Sequence, residues 1–255
     1  MKKILLILAI LIPLFTLTAC KKEETPKTTL DKIIEKNKIV VGTKGDSKPF
    51  CYKENGELKG FDIDLARLIA REILGDKEAV EFVELKANER IYALNDKQVD
   101  LIIASLSTSS RRYQIIDFSI QYYVAGQALL VKNKANINGL KDLNGKTIGL
   151  VLGTSGENAI RYLLPKANVR SAKTYPEIFE YLKNNEVDAV IADDSLLNAE
   201  FKRNKKYKIL AKRYSKEYYA IGIRKEDPEL KEKIDSILEK LQENGSISLL
   251  KSKWL

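Results

Sequence analysis

The sequence predicts an α/β protein of two lobes that share one plan. Short runs rich in β-branched residues alternate with stretches in which apolar residues recur at helical spacing, the pattern of an α/β domain. This alternation runs through two sets of similar size and layout, the second beginning near Leu140. The chain beyond its polar N-terminal segment, about 225 residues, has room for one large domain or for two lobes.

The first set opens with a short buried strand at residues 39–42. A helix is predicted at 61–74, where apolar residues recur at helical spacing until Gly75 ends the pattern. The other elements of this set are a strand at 80–85, a short helix at 89–94, a strand at 99–104, a hydroxyl-rich loop at 105–110, a helix near 111–115 and a strand at 128–131.

The second set is predicted to contain a strand at 147–151, a loop at 152–156, a helix at 157–164, a strand near 169–172, a helix at 176–184, strands at 189–192, 207–212 and 219–224, and helices at 228–242 and 246–254. Open parallel sheets bind ligands beyond the carboxyl ends of their strands. The loops after Val41, Ala104, Val151 and Ala192 occupy that place, so we expect the functional residues there.

The chain contains no histidine, which excludes several kinds of catalytic and metal site. Neither a Ser-His-Asp or Cys-His nucleophile nor a His-ligated zinc site can form. The basic residues, which give a formal net charge of +9, are interleaved with acidic ones, and no basic run carries aromatic neighbours. We therefore expect a binding protein without metal or cofactor, not an enzyme, and no nucleic-acid partner.

The N-terminal segment has the parts of a secretory signal: two lysines, an apolar run at 4–17 and small residues before Cys20. Leu17-Thr18-Ala19-Cys20 resembles the bacterial lipoprotein signal, in which the cysteine receives a lipid and the chain is cut before it. An ordinary signal peptide is the alternative, while a membrane-spanning helix would need roughly 20 apolar residues. We predict a signal peptide at 1–19 and a lipid on Cys20.

Residues 21–29 are charged and polar, which predicts a flexible tether at 20–29. The mature protein would be an extracytoplasmic lipoprotein of the cell membrane, in the periplasm or on the outer face of the cytoplasmic membrane. Once Cys20 carries lipid, Cys51 is the only cysteine left. We expect Cys51 to be a small buried apolar residue, since no histidine can act as its base.

Several short motifs follow one another along the chain. They are Gly60-Phe61-Asp62-Ile63-Asp64-Leu65, Val99-Asp100-Leu101-Ile102-Ile103-Ala104, Ser107 with Arg112, Asp117-Phe118-Ser119 with Tyr122-Tyr123, Leu143-Asn144-Gly145-Lys146, Gly153-Thr154 and Val187-Asp188-Ala189-Val190. In this order they resemble the extracytoplasmic solute-binding proteins of polar amino acid ABC transporters (bacterial solute-binding protein family 3), closest to aspartate- and glutamate-binding members. The likeness covers about residues 30 to 254.

The resemblance implies the two-lobed periplasmic-binding-protein fold (type II), with the ligand in the cleft between the lobes. Two crossing hinge strands are expected near 126–132 and 214–221. Lobe 1 would be discontinuous, at 30–127 and 220–255, and lobe 2 would span 128–219. The resemblance also implies a monomer that closes on its ligand and delivers it to the permease and ATPase subunits of an ABC importer.

The predicted ligand contacts follow from the charges of an amino acid zwitterion. Arg112 can hold the α-carboxylate through two parallel hydrogen bonds, and Ser155, at the start of a helix, can add a backbone N–H. Asp193 can pair with the α-ammonium, helped by Ser107 and the carbonyl of Ser105. The resemblance implies ligand contacts at these positions; the alternatives are a surface cation for Arg112 and a helix N-cap for Asp193.

The resemblance also implies contacts to the ligand's side chain. In the aspartate- and glutamate-binding members, the positions of Lys44, Arg90 and Tyr175 contact the side-chain carboxylate or close over it. Two cations in one pocket suit a second carboxylate and repel basic ligands. Alternatively, Lys44 is solvated in a mobile loop and Arg90 pairs with Glu84 or Glu89.

One departure from the family concerns an aromatic residue that stacks on the ligand in many relatives. The corresponding residue here is small, near Ser47, and Phe50 or Tyr52 is expected to replace it. Glutamate or aspartate is the predicted ligand, with glutamine, cystine and cysteine as alternatives.

Two rival functions remain open. The same fold carries cyclohexadienyl-dehydratase-like enzymes, which need a carboxylic acid over the leaving group of the substrate. Glu157, Glu177 or Asp194 could supply that acid. The other rival is a sensor ectodomain, and a permease and ATPase encoded beside the gene would decide for transport.

Overall fold

The computed structural model describes residues 26–210 and 213–255. The predicted signal peptide, the lipidation site at Cys20 and most of the predicted tether lie outside these residues. Thr29, the last residue of that tether, begins the first helix, and the Thr28 side chain caps it by accepting a hydrogen bond from the Asp31 N–H. Within the two described ranges, none of the helices is sufficiently long and apolar to cross a membrane.

Helices and strands alternate along most of the described chain. The helices are α1 (Thr29–Lys36), α2 (Phe61–Leu74), α3 (Arg90–Asn95), α4 (Ser110–Tyr113), α5 (Ser155–Leu163), α6 (Tyr175–Lys183), α7 (Asp194–Arg203), α8 (Pro228–Glu243) and α9 (Ser246–Trp254), with a 3₁₀ turn at Leu140–Leu143. The strands are β1 (Ile39–Thr43), β2 (Asp46–Ser47), β3 (Cys51–Glu54), β4 (Glu57–Lys59), β5 (Val80–Glu84), β6 (Leu101–Ile102), β7 (Asp117–Ala125), β8 (Gln127–Lys132), β9 (Thr147–Val151), β10 (Asn168–Ala172), β11 (Ala189–Asp193), β12 (Tyr207–Ile209) and β13 (Glu217–Ile223).

The first lobe is built on a five-stranded sheet in the order β5-β1-β6-β13-β7. β1 lies parallel to β5 and β6, whereas β13 runs antiparallel to β6 and β7. Helix α2 has the bounds that its periodicity predicts, and it buries Phe61, Leu65 and Ile69 in the core of this lobe. Cys51 is buried in the same core, and burial raises the pKa of its thiol to about 12, so this cysteine is a packing residue as predicted.

The second lobe is a five-stranded sheet in the order β10-β9-β11-β8-β12. Alternate residues of a strand point to opposite faces of the sheet, so neighbouring residues of β8 enter different cores. Leu130 packs with the cluster that contains Phe179, and Leu129 packs with the cluster that contains Ile160. The sheet is therefore covered on both faces, by α6 on one side and α5 on the other.

Two segments connect the lobes. The first passes through Gly126, which lies between β7 in the first sheet and β8 in the second. The second lies between β12 and β13, and Glu217 already pairs with Ala125 in the first sheet. The expected end of lobe 2 at residue 219 thus falls inside β13. A Cβ on Gly126 would lie 2.3 Å from the Ser215 carbonyl oxygen, so glycine allows the two crossing segments to approach closely.

Candidate functional site

The two lobes face each other at the carboxyl ends of β1, β6, β9 and β11, where the expected functional loops lie. Several hydrogen bonds join the lobes across this cleft. Arg112 Nη2 and Arg90 Nη2 both donate to the Gly153 carbonyl oxygen, at 2.9 and 3.4 Å. The Tyr175 N–H donates to Asp46 Oδ2 at 3.1 Å. The lobes are therefore in contact, and the side chains between them form one cluster.

Arg112 lies in this cleft and is only partly exposed, so it is not a surface cation. Ser109 caps the short helix α4 by accepting a hydrogen bond from the Arg112 N–H. The guanidinium also donates to the Ser107 carbonyl oxygen through Nη1 at 2.6 Å. Burial and then the neighbouring charge of Arg90 lower the pKa of Arg112 to about 10. Arg112 therefore remains a cation at neutral pH and would gain from a nearby anion.

Asp193 ends β11 and occupies the N-cap position of α7, but its side chain does not cap that helix. Its carboxylate is buried and accepts hydrogen bonds from Gln127 Nε2 and from the Tyr219 hydroxyl. Burial, followed by the charge of Glu217, raises the pKa of Asp193 to about 7. Neutralising this carboxylate with a bound cation would offset the free-energy cost of its burial.

Lys44 and Arg90 are both buried, at 3% and 2% exposure, so Lys44 is not a solvated loop residue. Arg90 donates to the Ala87 carbonyl oxygen through Nε at 3.0 Å and to the Ala104 carbonyl oxygen through Nη1 at 2.7 Å. Lys44 Nζ lies 5.1 Å from the ring centroid of Tyr175. The two cations and the tyrosine therefore lie at the cleft, and their contacts to a ligand stay a prediction.

Neither cation has a carboxylate at salt-bridge distance among the described residues. Glu84 pairs with Lys53, and Glu89 pairs with Lys86, so both alternative partners of Arg90 are bound elsewhere. Burial lowers the pKa of Lys44, although the charge of Asp46 partly opposes this effect. Burial likewise lowers the pKa of Arg90.

The loop after β6 brings Ser105 and Ser107 to the same place. Ser105 has a φ of 44°, in the left-handed region, and its N–H donates to Asp62 Oδ2 at 2.6 Å. Asp62 is fully buried, accepts a second hydrogen bond from the Tyr122 hydroxyl, and has its pKa raised by burial to about 6. Asp62 thus stabilises the uncommon backbone conformation of Ser105.

Ser155 is the first residue of α5, as its predicted role requires. The first N–H groups of a helix have no partners within the helix and favour an anion. The Ser155 hydroxyl donates to Glu217 and accepts a hydrogen bond from Gln127 Nε2 at 3.2 Å.

Phe50 lies behind the cleft, in the core of the first lobe, at 1% exposure. Its ring contacts the rings of Phe61, Tyr123 and Tyr219 edge to face, with centroid distances of 5.8, 4.9 and 5.1 Å. Since the Tyr219 hydroxyl donates to Asp193, Phe50 supports the site through Tyr219.

No role was assigned from the sequence to several residues that bond directly to the predicted site residues, among them Asp46, Gln127, Glu217 and Tyr219. Gln127, Glu217 and Tyr219 lie at the crossings between the lobes, which the resemblance located without assigning ligand roles there. Across residues 26–210 and 213–255, no cluster of three carboxylates or cysteines could hold a metal ion.

The comparisons with known proteins agree with this geometry. Residues 39–255 match the model of the bacterial extracellular solute-binding proteins, family 3. The chain belongs to this family. It is 34% identical to the ABC transporter glutamine-binding protein of Bacillus subtilis over 236 residues, which are 91% of this chain and 86% of the relative.

A solved relative has the same fold. The cysteine-binding protein from Campylobacter jejuni superposes with a TM-score of 0.87 and 31% identity, over 90% of this chain and 93% of that one. The two-lobed periplasmic-binding-protein fold is thereby confirmed, and the relatives named here are binding proteins. The glutamate/aspartate import solute-binding protein of Salmonella typhimurium is 29% identical over 239 residues, 89% of this chain and 79% of that one. The prediction that the chain is most similar to aspartate- and glutamate-binding members was therefore wrong, because the glutamine-binding relative is more similar to it than the glutamate/aspartate-binding one.

Proposed function

We propose that this protein captures an acidic L-amino acid, glutamate or aspartate, outside the cytoplasmic membrane and delivers it to an ABC importer. Family 3 solute-binding proteins bind amino acids and pass them to ABC transporter permeases. The proposal concerns which amino acid the cleft prefers. It includes the lipid anchor on Cys20 and a monomeric state, and it assigns the protein no catalytic step.

The observation that carries the proposal is the pair of buried cations, Lys44 and Arg90. A buried charge costs several kcal/mol when it has no partner, on the order of what a salt bridge or charged hydrogen bond restores. Among the described residues no carboxylate is at salt-bridge distance from either group, because Glu84 and Glu89 pair with other lysines. A ligand carboxylate placed between Lys44 and Arg90 would supply the missing charge.

Other residues of the cleft support recognition of the groups that all amino acids share. Arg112 and the start of α5 offer a cation and N–H donors to the α-carboxylate, while Asp193 and the Ser105 carbonyl offer acceptors to the α-ammonium. The ionised form of Asp193 is disfavoured by burial, and an ammonium beside it would restore that form.

Glutamine is the second candidate, and one observation favours it. Arg90 already donates to three backbone carbonyls, those of Ala87, Ala104 and Gly153, and burial lowers the pKa of Lys44. A lowered pKa disfavours the charged form of Lys44, which reduces its requirement for a carboxylate partner. The similarity to a glutamine-binding protein points in the same direction.

Isothermal titration calorimetry distinguishes these candidates. The full chain would be titrated with L-glutamate, L-aspartate, L-glutamine, L-asparagine and L-cystine at pH 7.5. We expect the acidic ligands to bind roughly tenfold to a hundredfold more tightly than their amides, because an amide leaves a buried cation unpaired. Tighter binding of L-glutamine than of L-glutamate would contradict the acidic preference while leaving the amino acid site in place.

A further inference from the structure

Glu217 connects the two lobes through its side chain. It is the first residue of β13, directly after the second crossing segment, and pairs with Ala125 in the first sheet. Its Oε2 accepts a hydrogen bond from Ser107 Oγ of the first lobe at 2.7 Å and another from Ser155 Oγ of the second lobe. Its Oε1 accepts a hydrogen bond from Ser215 Oγ at 3.0 Å.

These hydrogen bonds fix the direction in which two cleft hydroxyls can act. A serine hydroxyl has one hydrogen to donate and two lone pairs that accept. Because Ser107 and Ser155 both donate to Glu217, each oxygen can offer only lone pairs to a third group. Within the described chain, Ser107 Oγ makes no hydrogen bond besides the one to Glu217. Its lone pairs thus suit a donor such as an ammonium.

We propose that Glu217 is a positioning residue for the ligand's α-ammonium, acting by holding the hydroxyls of Ser107 and Ser155 as acceptors beside Asp193. This inference rests on the proposed amino acid ligand, but not on the nature of its side chain. Glu217 also adds a carboxylate to the part of the cleft that contains Ser107 and Ser155. It contacts both lobes at once, so it acts in the closed arrangement.

The alternative is a structural role, in which Glu217 only ties the lobes together. The two roles differ in their dependence on Ser107. A positioning residue that acts through Ser107 loses most of its effect once the hydroxyl is gone, so the two substitutions are non-additive. If Glu217 is only a structural tie, its substitution should weaken binding by a similar factor with or without the Ser107 hydroxyl.

The test is calorimetry on the full chain with L-glutamate and L-glutamine as probes, for wild type and for Glu217→Gln, Ser107→Ala and the double variant. We expect Glu217→Gln alone to raise Kd about tenfold or more, since charged hydrogen bonds of this kind contribute that much. In the Ser107→Ala background we expect it to raise Kd by about threefold at most. Glu226→Gln, an exposed position with the same change in charge, should leave Kd unchanged.

A conservative substitution provides a second test of the proposal. Glu217→Asp retains a carboxylate that can accept from one hydroxyl, and it should bind both probes more tightly than Glu217→Gln. An unchanged Kd in Glu217→Gln, additive effects with Ser107→Ala, or no recovery in Glu217→Asp would each overturn the inference. The probes separate the two proposals, because a preference for L-glutamine refutes only the acidic side-chain pocket, whereas both amino acids carry the ammonium on which Glu217 is proposed to act.

Discussion

Arg112 and Gly153 are joined across the cleft by a hydrogen bond of 2.9 Å from the guanidinium Nη2 to the glycine carbonyl oxygen. Gly153 has a φ of 76°, and a Cβ there would lie 2.5 Å from the Asn88 Cα of the opposite lobe. The residue must therefore be glycine for the lobes to approach this closely. The Arg112 guanidinium bonds to Ser107 in the loop after β6 and to Gly153 in the loop before α5, and so holds the two loops together.

The first prediction concerns Arg112 itself. Arg112→Ala leaves the ligand's α-carboxylate desolvated without its cation, so binding should weaken by about 2–5 kcal/mol for the whole set of amino acids that the wild type binds. Calorimetry measures this loss. Arg111→Ala, on the exposed side of the same helix, is the matched control and should retain the wild-type affinity. Near-native binding by Arg112→Ala would show that the α-carboxylate lies elsewhere.

Much of the fold could be predicted from periodicity. The apolar repeat gives the bounds of α2 and α9, and the β-branched run gives those of β9. The nine-residue strand β7 was missed, because its residues alternate less clearly and include three tyrosine or phenylalanine side chains that pack with the core of the first lobe. Helix α7 was missed because its polar sequence buries only Leu196, Leu197 and Glu200.

The charges of an amino acid zwitterion led to Arg112, Asp193, Lys44 and Arg90, and all four residues lie at the cleft. Their contacts to a ligand stay a prediction. Glu217 was not predicted, because its neighbours Ser107 and Ser155 are 110 and 62 residues away in the chain. No local pattern marks such a contact, since only the crossing of the lobes brings these residues together.

The second prediction concerns pH. The pKa of Asp193 is raised from its ordinary value of 3.8 to about 7 without ligand, whereas binding an ammonium requires the ionised form. Affinity for a neutral or acidic amino acid should therefore fall as the pH drops below about 7, by up to about tenfold per unit. Calorimetric Kd values between pH 5.5 and 8.5 test this, a range in which the ligand's own carboxylates stay ionised. A Kd that is constant over this range would contradict it.

The raised pKa of Asp193 also predicts that Asp193→Asn, which weakens ligand binding, makes the ligand-free protein more stable. Because the folded-state pKa is raised, the contribution of Asp193 to stability is full below pH 3.8 and is lost as the pH rises through about 7. At pH 8, Asp193→Asn should therefore raise the melting temperature of the ligand-free protein while weakening ligand binding. A lower melting temperature, measured without ligand, would show that the hydrogen bonds from Gln127 and Tyr219 outweigh the cost of the buried charge.

The fourth prediction concerns the membrane anchor. Cys20→Ala should abolish lipid attachment and release a soluble protein, because one thiol carries the whole anchor and residues 21–29 have no apolar face. Metabolic labelling with a fatty acid measures this. Cys51→Ala keeps the proposed lipidation site and should remain labelled, while labelling of Cys20→Ala would refute the assignment.

The last prediction concerns specificity. If Lys44 and Arg90 both bind the distal carboxylate, Arg90→Ala should remove most of the roughly tenfold to hundredfold preference for L-glutamate over L-glutamine. Lys44→Ala should act in the same direction but more weakly, because an ammonium on a flexible stem is less fixed in geometry than a guanidinium. Some affinity should remain in both variants, since Arg112 and Asp193 are the residues proposed to hold the groups common to all amino acids.

The decisive measurement is the ratio of the Kd for L-glutamine to the Kd for L-glutamate. Arg90→Ala also removes hydrogen bonds to the Ala87 and Ala104 carbonyls, and any loss of local stability that results weakens the binding of both ligands alike. Such a general loss cancels in the ratio, whereas loss of a carboxylate contact lowers it. Arg71→Ala, at an exposed position of α2, should leave the ratio unchanged. An unaltered ratio in Arg90→Ala would place the side-chain carboxylate away from this guanidinium.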